Sequence, residues 1–355
     1  MSIEELLVNV IKSNASDLHL LIDIPPVMRI NGSLRYISNH KALTKQDLDT
    51  MILSLLNSEQ KEMFFANKEL DFSFTFDDGT HKNIGRFRTN IYYQKGCLSA
   101  AFRLLGSHIR TVKELNLPKI VESFAELKQG FVLVTGPTGH GKSTTLAAII
   151  NEINLNRTEH ILTIEDPIEY IYPAGKSIIS QRAMGIDTHS WNAALRSALR
   201  EDPNVLLVGE MRDPETIASA ITAAETGHLV LSTLHTNSAS QSIDRIIDAF
   251  PGDQQPQIRI QLAATLKGVV SQRLLPKIEG ERIPAVEVLI RTSAVASNIR
   301  EGKTYLIDSA IQTSHEIGMI TLESSLASLV KDGSISLETA KSYAVHQDYL
   351  MRMLE

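Results

Sequence analysis

At 355 residues the chain is long enough for about two domains, and its 43% hydrophobic and 21% charged content is that of a soluble globular protein. No apolar run approaches the ~20 residues needed to cross a bilayer, and the acidic, amphipathic start MSIEELLVNVIKS is not a secretory signal. One cysteine, Cys97, excludes an internal disulfide or a multi-cysteine zinc site, and a net charge of −6 without a Lys/Arg block disfavours a nucleic-acid surface.

The first predicted element is an amphipathic helix near residues 3–12, followed by a strand at 17–22. Pro25-Pro26 ends that strand, and 27–30 with Asn31-Gly32 reads as a strand entering a hairpin turn. Helical periodicity occupies roughly 44–66. Residues 71–76 then alternate strictly, Asp78-Gly79 marks a turn, and strand-like runs follow at 86–91 and 99–104. The pattern predicts a small α+β domain with an antiparallel sheet over 1–105, a linker at 106–120 and a second domain at 121–355.

In the second domain the rhythm becomes strand, helix, strand. Apolar strands at 131–135, 161–165, 205–209 and 229–234 alternate with helices at 142–153, 190–200 and 215–225. Asp213-Pro214-Glu215 supplies a helix cap followed by a first-turn proline, and Gly227 marks that helix's end. Such alternation predicts right-handed crossovers and a parallel sheet covered on both faces. Beyond 255 the chain reads as mainly helical, with one strand-like run at 285–290.

Between the strand at 131–135 and the helix after it lies GPTGHGKSTT, in which Gly136, Gly141, Lys142 and Ser143 satisfy G-x-x-x-x-G-K-[ST]. A chance match in a surface turn is the bland alternative, but the strand before and the helix after favour a nucleotide site. Gly136, Pro137, Thr138, Gly139, His140, Gly141, Lys142, Ser143 and Thr144 are the candidate phosphate-binding residues. Glycine lets backbone N–H groups turn inward around a phosphate chain, Lys142 bridges the β- and γ-phosphates, and the Ser143 hydroxyl ligates Mg²⁺. The expected ligands are therefore ATP and Mg²⁺. His140 sits at the loop's crest, where its backbone is expected to serve while the ring points outward as a tolerated substitution.

Strand ends supply the acidic residues. ILTIEDPIE places Glu165 after one strand and VLLVGEMRD places Glu210 after another, positions from which Mg²⁺ and the attacking water are managed. Glu210 is assigned to Mg²⁺ through water and Glu165 to orienting or deprotonating the water; the alternative is that each caps a loop. His228 and His235 bracket the strand 229–234. Without a nearby third ligand a metal site is a poor reading; a lone histidine at a strand end is usually structural, and His235 becomes the candidate γ-phosphate sensor largely on the family resemblance given below.

Taken together, GPTGHGKSTTLAA, ILTIEDPIE, ALRSALREDPNVLLVGEMRDPETI and AAETGHLVLSTLHTNSA resemble the secretion ATPase superfamily of type II secretion and type IV pili, closest to its pilus-retraction members. The resemblance covers nearly the whole chain, including ASDLHL and GRFRTN in the first domain. It implies a PAS-like N-terminal domain, a RecA-like P-loop ATPase domain with a mainly helical C-terminal region, and a homo-hexamer with nucleotide between subunits. By the same resemblance His228 and His235 form a histidine box, and Arg86 and Arg88 of GRFR face a neighbouring subunit's nucleotide. The implied partners are an inner-membrane pilus platform protein and a second pilus ATPase. The implied location is cytoplasmic, against the inner membrane at the pilus base.

Extension ATPases of the superfamily carry an extra N-terminal domain and a four-cysteine zinc site, so this chain reads as a retraction enzyme driving twitching motility. Against that, the retraction motif AIRNLIRE reads Ala294-Val295-Ala296-Ser297-Asn298-Ile299-Arg300-Glu301, with Ala296 for an arginine and Asn298 for a leucine. An accessory retraction ATPase and an extension or type II secretion ATPase stay open on that ground. A RecA-like nucleic-acid motor is the rival of another class, disfavoured by the charge balance.

Overall fold

The computed structural model describes residues 2–30, 32–37, 40–77, 85–106 and 109–355. It divides into two units, Met1–His108 with Pro167–Ile171, and Ile109–Asp166 with Tyr172–Glu355.

In the first unit Ser2 and Glu5 close a capping box on helix α1 (Ile3–Lys12), which buries Ile3, Leu6, Leu7 and Val10 along one stripe. Strands β1 (Asp17–Leu20), β2 (Val27–Ile30) and β3 (Ser33–Tyr36) follow. The helical stretch expected at 44–66 is two helices, α2 (Lys45–Leu53) and α3 (Ser58–Asn67). The break is chemical: Asn57 closes a second capping box with Gln60 and starts a new helix. Strands β4 (Glu69–Phe76), β5 (Gly85–Gln94) and β6 (Cys97–Leu105) complete an antiparallel sheet of order β3-β2-β1-β6-β5-β4. Alternation along β4 sends Phe72, Phe74 and Phe76 to one face, where Phe74 stacks on Phe87 at 5.9 Å. Asp71, Ser73 and Thr75 take the other face. The turn expected at Asp78-Gly79 and Asn31 of the other expected turn lie outside the described residues.

The second unit is built on β7 (Gly130–Thr135), α4 (Lys142–Asn156), β8 (His160–Glu165), β9 (Ile178–Ala183), α5 (Trp191–Ala198), β10 (Val205–Val208), α6 (Pro214–Glu225) and β11 (Leu229–Leu234). Helices α7 (Ala239–Asp248) and α8 (Gln255–Thr265), strands β12 (Leu266–Pro276) and β13 (Arg282–Ile290), and helix α9 (Ser293–Arg300) come next, and further helices reach Leu354. The sheet order is β13-β12-β7-β11-β10-β8-β9, and every pair is parallel except β12 with β13.

Central strands buried at every position need apolar side chains on both faces. Phe131 and Leu133 of β7 join Leu206, Val230 and helices α5 to α8 on one side. Val132 and Val134 join Leu207, Leu231 and the Ile149, Ile150 and Ile153 stripe of α4 on the other. Val112, Leu115 and Leu117, inside the expected linker, are buried in that second cluster. The expected cap of α6 is present, with Asp213 accepting from Thr216 N–H and Pro214 in the first turn.

Two strands differ from the sequence reading. β9 is a half-exposed edge strand with little apolar signal. β12 lies in the region read as mainly helical, because LKGVVSQRLLP is buried at most positions and shows no clean period of two.

Candidate nucleotide site

The sheet register gathers most of the predicted residues at one edge. Thr135 at the end of β7 stands opposite Leu234 of β11, and Val208 of β10 stands opposite both Ser232 and Ile164. The glycine-rich loop, His235, Glu210 and Glu165 therefore leave four successive strands at their carboxyl ends, where open α/β sheets bind ligands.

The loop's shape depends on its glycines at defined points. Gly136 has φ of 145° and its backbone lies on the Gln272 carbonyl oxygen, which any Cβ would strike. Gly141, at φ 83°, forms the left-handed N-cap of α4 with no side-chain cap. A helix start without a capping side chain, preceded by a turn of glycines, directs main-chain N–H groups and the positive end of the dipole at an anion. Pro137 is half-buried, Thr138 and Gly139 are exposed at the crest, and Ser143 and Thr144 occupy the first turn of α4. Lys142 is only 8% exposed; its ammonium donates to the Gly136 and Pro137 carbonyls at 2.9 and 3.0 Å. It lies 3.5 Å from His235 Nδ1, which is also 3.4 Å from Thr138 Oγ1.

Glu165 closes β8 as a buried carboxylate. Oε1 accepts from Thr163 Oγ1 at 2.7 Å and from Gln181 Nε2 at 3.3 Å, fixing its direction along the edge. Glu210 pairs with the exposed Arg212 at 2.8 Å. Burial is the main reason the His235 ring titrates below the usual histidine range; Lys142 adds to this, Glu210 opposes it and Arg212 reinforces it. A ring kept neutral can still donate one hydrogen bond toward a phosphate oxygen while accepting another.

Two placements differ from expectation. The His140 ring turns inward, and its Nδ1 accepts from the Leu274 N–H at 3.0 Å. The stretch of β12 past the end of β7, still paired with β13 on its other side, supplies that partner. His228 precedes β11, at the amino end of a strand spanning ~20 Å, so it does not reach the phosphate loop of its own chain. Its Nδ1 lies 2.9 Å from the Ala223 carbonyl and 3.2 Å from Thr226 Oγ1, closing the end of α6. Arg86 and Arg88 share a face of β5, as their spacing requires, and both bond to groups of the first unit. Arg86 donates to Ser73 Oγ at 2.7 Å, Thr75 Oγ1 at 3.0 Å and the Ile168 carbonyl at 3.0 Å. Arg88 pairs with Asp71 at 2.6 Å.

Sequence reasoning missed Gln272, a 4%-exposed side chain whose amide donates to the His140 carbonyl and accepts from Thr145 Oγ1. The β-branched run before it in GVVSQRLL was the available signal for a strand beside the loop. Ala296 of α9, where the retraction motif has an arginine, is 1% exposed and packs into the core.

Residues 99–335 match the family model described as Type II/IV secretion system protein. The chain is 45% identical over 344 residues to the type IV pilus retraction ATPase PilT of Pseudomonas aeruginosa, covering 97% of this chain and 98% of that one. It is 45% identical over 324 residues to a twitching motility protein of Neisseria gonorrhoeae, covering 91% and 85%. A crystal structure of the pilus retraction motor PilT with bound ADP superposes with a TM-score of 0.92 at 44% identity over 99% of each chain. The shared architecture is an N-terminal α+β domain and a RecA-like ATPase domain with a helical C-terminal part. This chain belongs to the type II/IV secretion system protein family.

Proposed function

We propose that this protein is the ATP-hydrolysing motor that drives type IV pilus retraction, and hence twitching motility. One observation supports this most: the phosphate loop, two strand-end carboxylates and His235 share one sheet edge, in a chain similar over nearly its whole length to a retraction ATPase. The loop's N–H groups and Lys142 hold the phosphates. Glu165, fixed by Thr163 and Gln181, orients and deprotonates the attacking water. His235 reads the γ-phosphate from its place beside Lys142 and Thr138.

Among the described residues no group of three or more His, Cys, Asp or Glu side chains could cage a metal by itself. Mg²⁺ takes few protein ligands and keeps substrate phosphates and water in its shell. Ser143 on the first turn of α4 and Glu210, the latter through water, are the residues that would hold it. When bound, Mg²⁺ neutralises charge developing on the phosphates.

In this reading the chain works as a homo-hexamer in which Arg86 and Arg88 of one subunit complete the site of the next. The ring acts from the cytoplasm on an inner-membrane platform protein, beside a second pilus ATPase. No helix among the described residues is long and apolar enough to cross a membrane.

Deleting the gene and counting surface pili tests the direction of the motor. Retraction predicts hyperpiliated cells that do not twitch. Bald cells would make it an extension ATPase and overturn the proposal.

A further inference from the structure

Strand β7 ends at Thr135 opposite Ser271, but β12 continues to Pro276. Past Ser271 the side of β12 that faced β7 loses its strand partner, and main-chain groups there need another. The phosphate loop takes that place. Gly136 lies against the Gln272 carbonyl, the Gln272 amide donates to the His140 carbonyl at 2.8 Å, and the Leu274 N–H donates to His140 Nδ1 at 3.0 Å. On its other side Leu274 stands opposite Pro284 of β13, which has no N–H. Because a main-chain N–H can only donate, Nδ1 must be the bare nitrogen and the ring proton sits on Nε2.

We propose that His140 is a positioning residue of the phosphate loop: its imidazole substitutes for the missing strand partner of Leu274 and so fixes the loop's crest in the shape that receives nucleotide phosphates. The inference rests on the nucleotide-site reading above. The Gln272 arm holds the loop through the main chain, which any residue at 140 would offer. The Leu274 arm needs a side-chain acceptor at Nδ1 distance from the backbone, which serine, alanine or glycine lacks. Burial, with Lys142, Arg273 and Arg282 nearby, moves the ring's titration below the usual histidine range, consistent with an accepting Nδ1.

Loosening the crest lowers the fraction of loop already in the receiving shape, so apparent affinity falls by that fraction. Bound phosphates re-form the shape, which leaves the chemical step nearly unchanged. The test uses the full-length protein with His140→Leu and His140→Asn, side chains of nearly equal size of which only Asn carries an acceptor. Steady-state ATP hydrolysis gives KM and kcat, and titration with a fluorescent ADP analogue gives Kd without turnover. For His140→Leu, KM and Kd should each rise roughly ten-fold, the worth of one hydrogen bond, with kcat within about two-fold. His140→Asn should recover most of that loss. Should the Leu variant not fold, His140→Ser takes its place, since its hydroxyl is too short to reach Leu274. Equal affinity in all variants, an Asn variant no better than Leu, or a loss confined to kcat would overturn the proposal and leave the nucleotide site standing. Failure of the wild-type protein to bind the ADP analogue would overturn both.

Discussion

The carboxyl edge of the parallel sheet and the arginine face of β5 are both parts of the proposed machine, and they are built differently. At the sheet edge the register alone brings four strand ends together, so one chain supplies the loop, Glu165, Glu210 and His235. On β5 the arginines bond to near neighbours, Arg88 to Asp71 and Arg86 to Ser73, Thr75 and the Ile168 carbonyl. A guanidinium so held is pre-shaped, because its rotamer entropy is already spent in the folded unit. The first region can be judged within one subunit, whereas in the proposed ring the second acquires a catalytic meaning only when another chain is present.

The largest effect expected at the sheet edge is from Lys142→Ala, which removes the loop's cation; phosphate release should fall to background. Wild-type release from the purified variant would place hydrolysis elsewhere. Next comes Glu165→Gln, which keeps the shape but not the basicity of the carboxylate. It should lower kcat by ~10²-fold while Mg-ATP binding persists, as measured by nucleotide titration. A collapse in affinity instead would exchange the roles given to Glu165 and Glu210.

A smaller effect sharpens the contrast by testing what holds the edge rather than what reacts there. Glu287 of β13 accepts the Ala239 N–H at 2.7 Å, at the start of the helix that follows the His235 loop. Its enclosed carboxyl titrates at about 7 against 4.5 ordinarily; burial is the main cause, the Ala239 N–H opposes it, Asp308 and Glu323 add to it, and Arg273 opposes it. The folded state therefore binds the proton more tightly than the unfolded one, and stability falls as pH rises from 4.5 through about 7. Glu287→Gln should raise Tm at pH 8 by roughly 2 °C or more and change it little at pH 5. A Tm gain equal at both pH values would show that this proton is not linked to folding.

How legible each region was follows from the kind of signal each carries. The loop and the strand-end carboxylates were readable because each stands in a fixed chemical position relative to a buried strand, and buried strands announce themselves as apolar runs. Gln272 was not readable. It contacts the loop across 132 residues of sequence through Nε2 and His140 O, so no local pattern encodes the pairing. His140 misled for the same reason, since the ring's direction is set by Leu274 on a strand hidden in an apolar stretch without clear period. Arg86 and Arg88 were placed on one face by their spacing of two, but their partners depend on the register of β4 against β5. His228 shows the limit of reading a strand by its ends: the two histidines flank one element and lie at opposite edges of the sheet.

The claim that one site is shared between two chains is tested most directly by mixing. Lys142→Ala protein and an Arg86→Ala/Arg88→Ala double variant are purified, each measured alone for phosphate release, then combined under subunit exchange. The account predicts that the double variant alone loses ~10³-fold in turnover, the scale of an arginine supplied by a neighbour, and that activity partly returns in mixed rings. A double variant that forms a stable hexamer and hydrolyses ATP at the wild-type rate would contradict it, leaving Arg86 and Arg88 as the internal ties of a sheet.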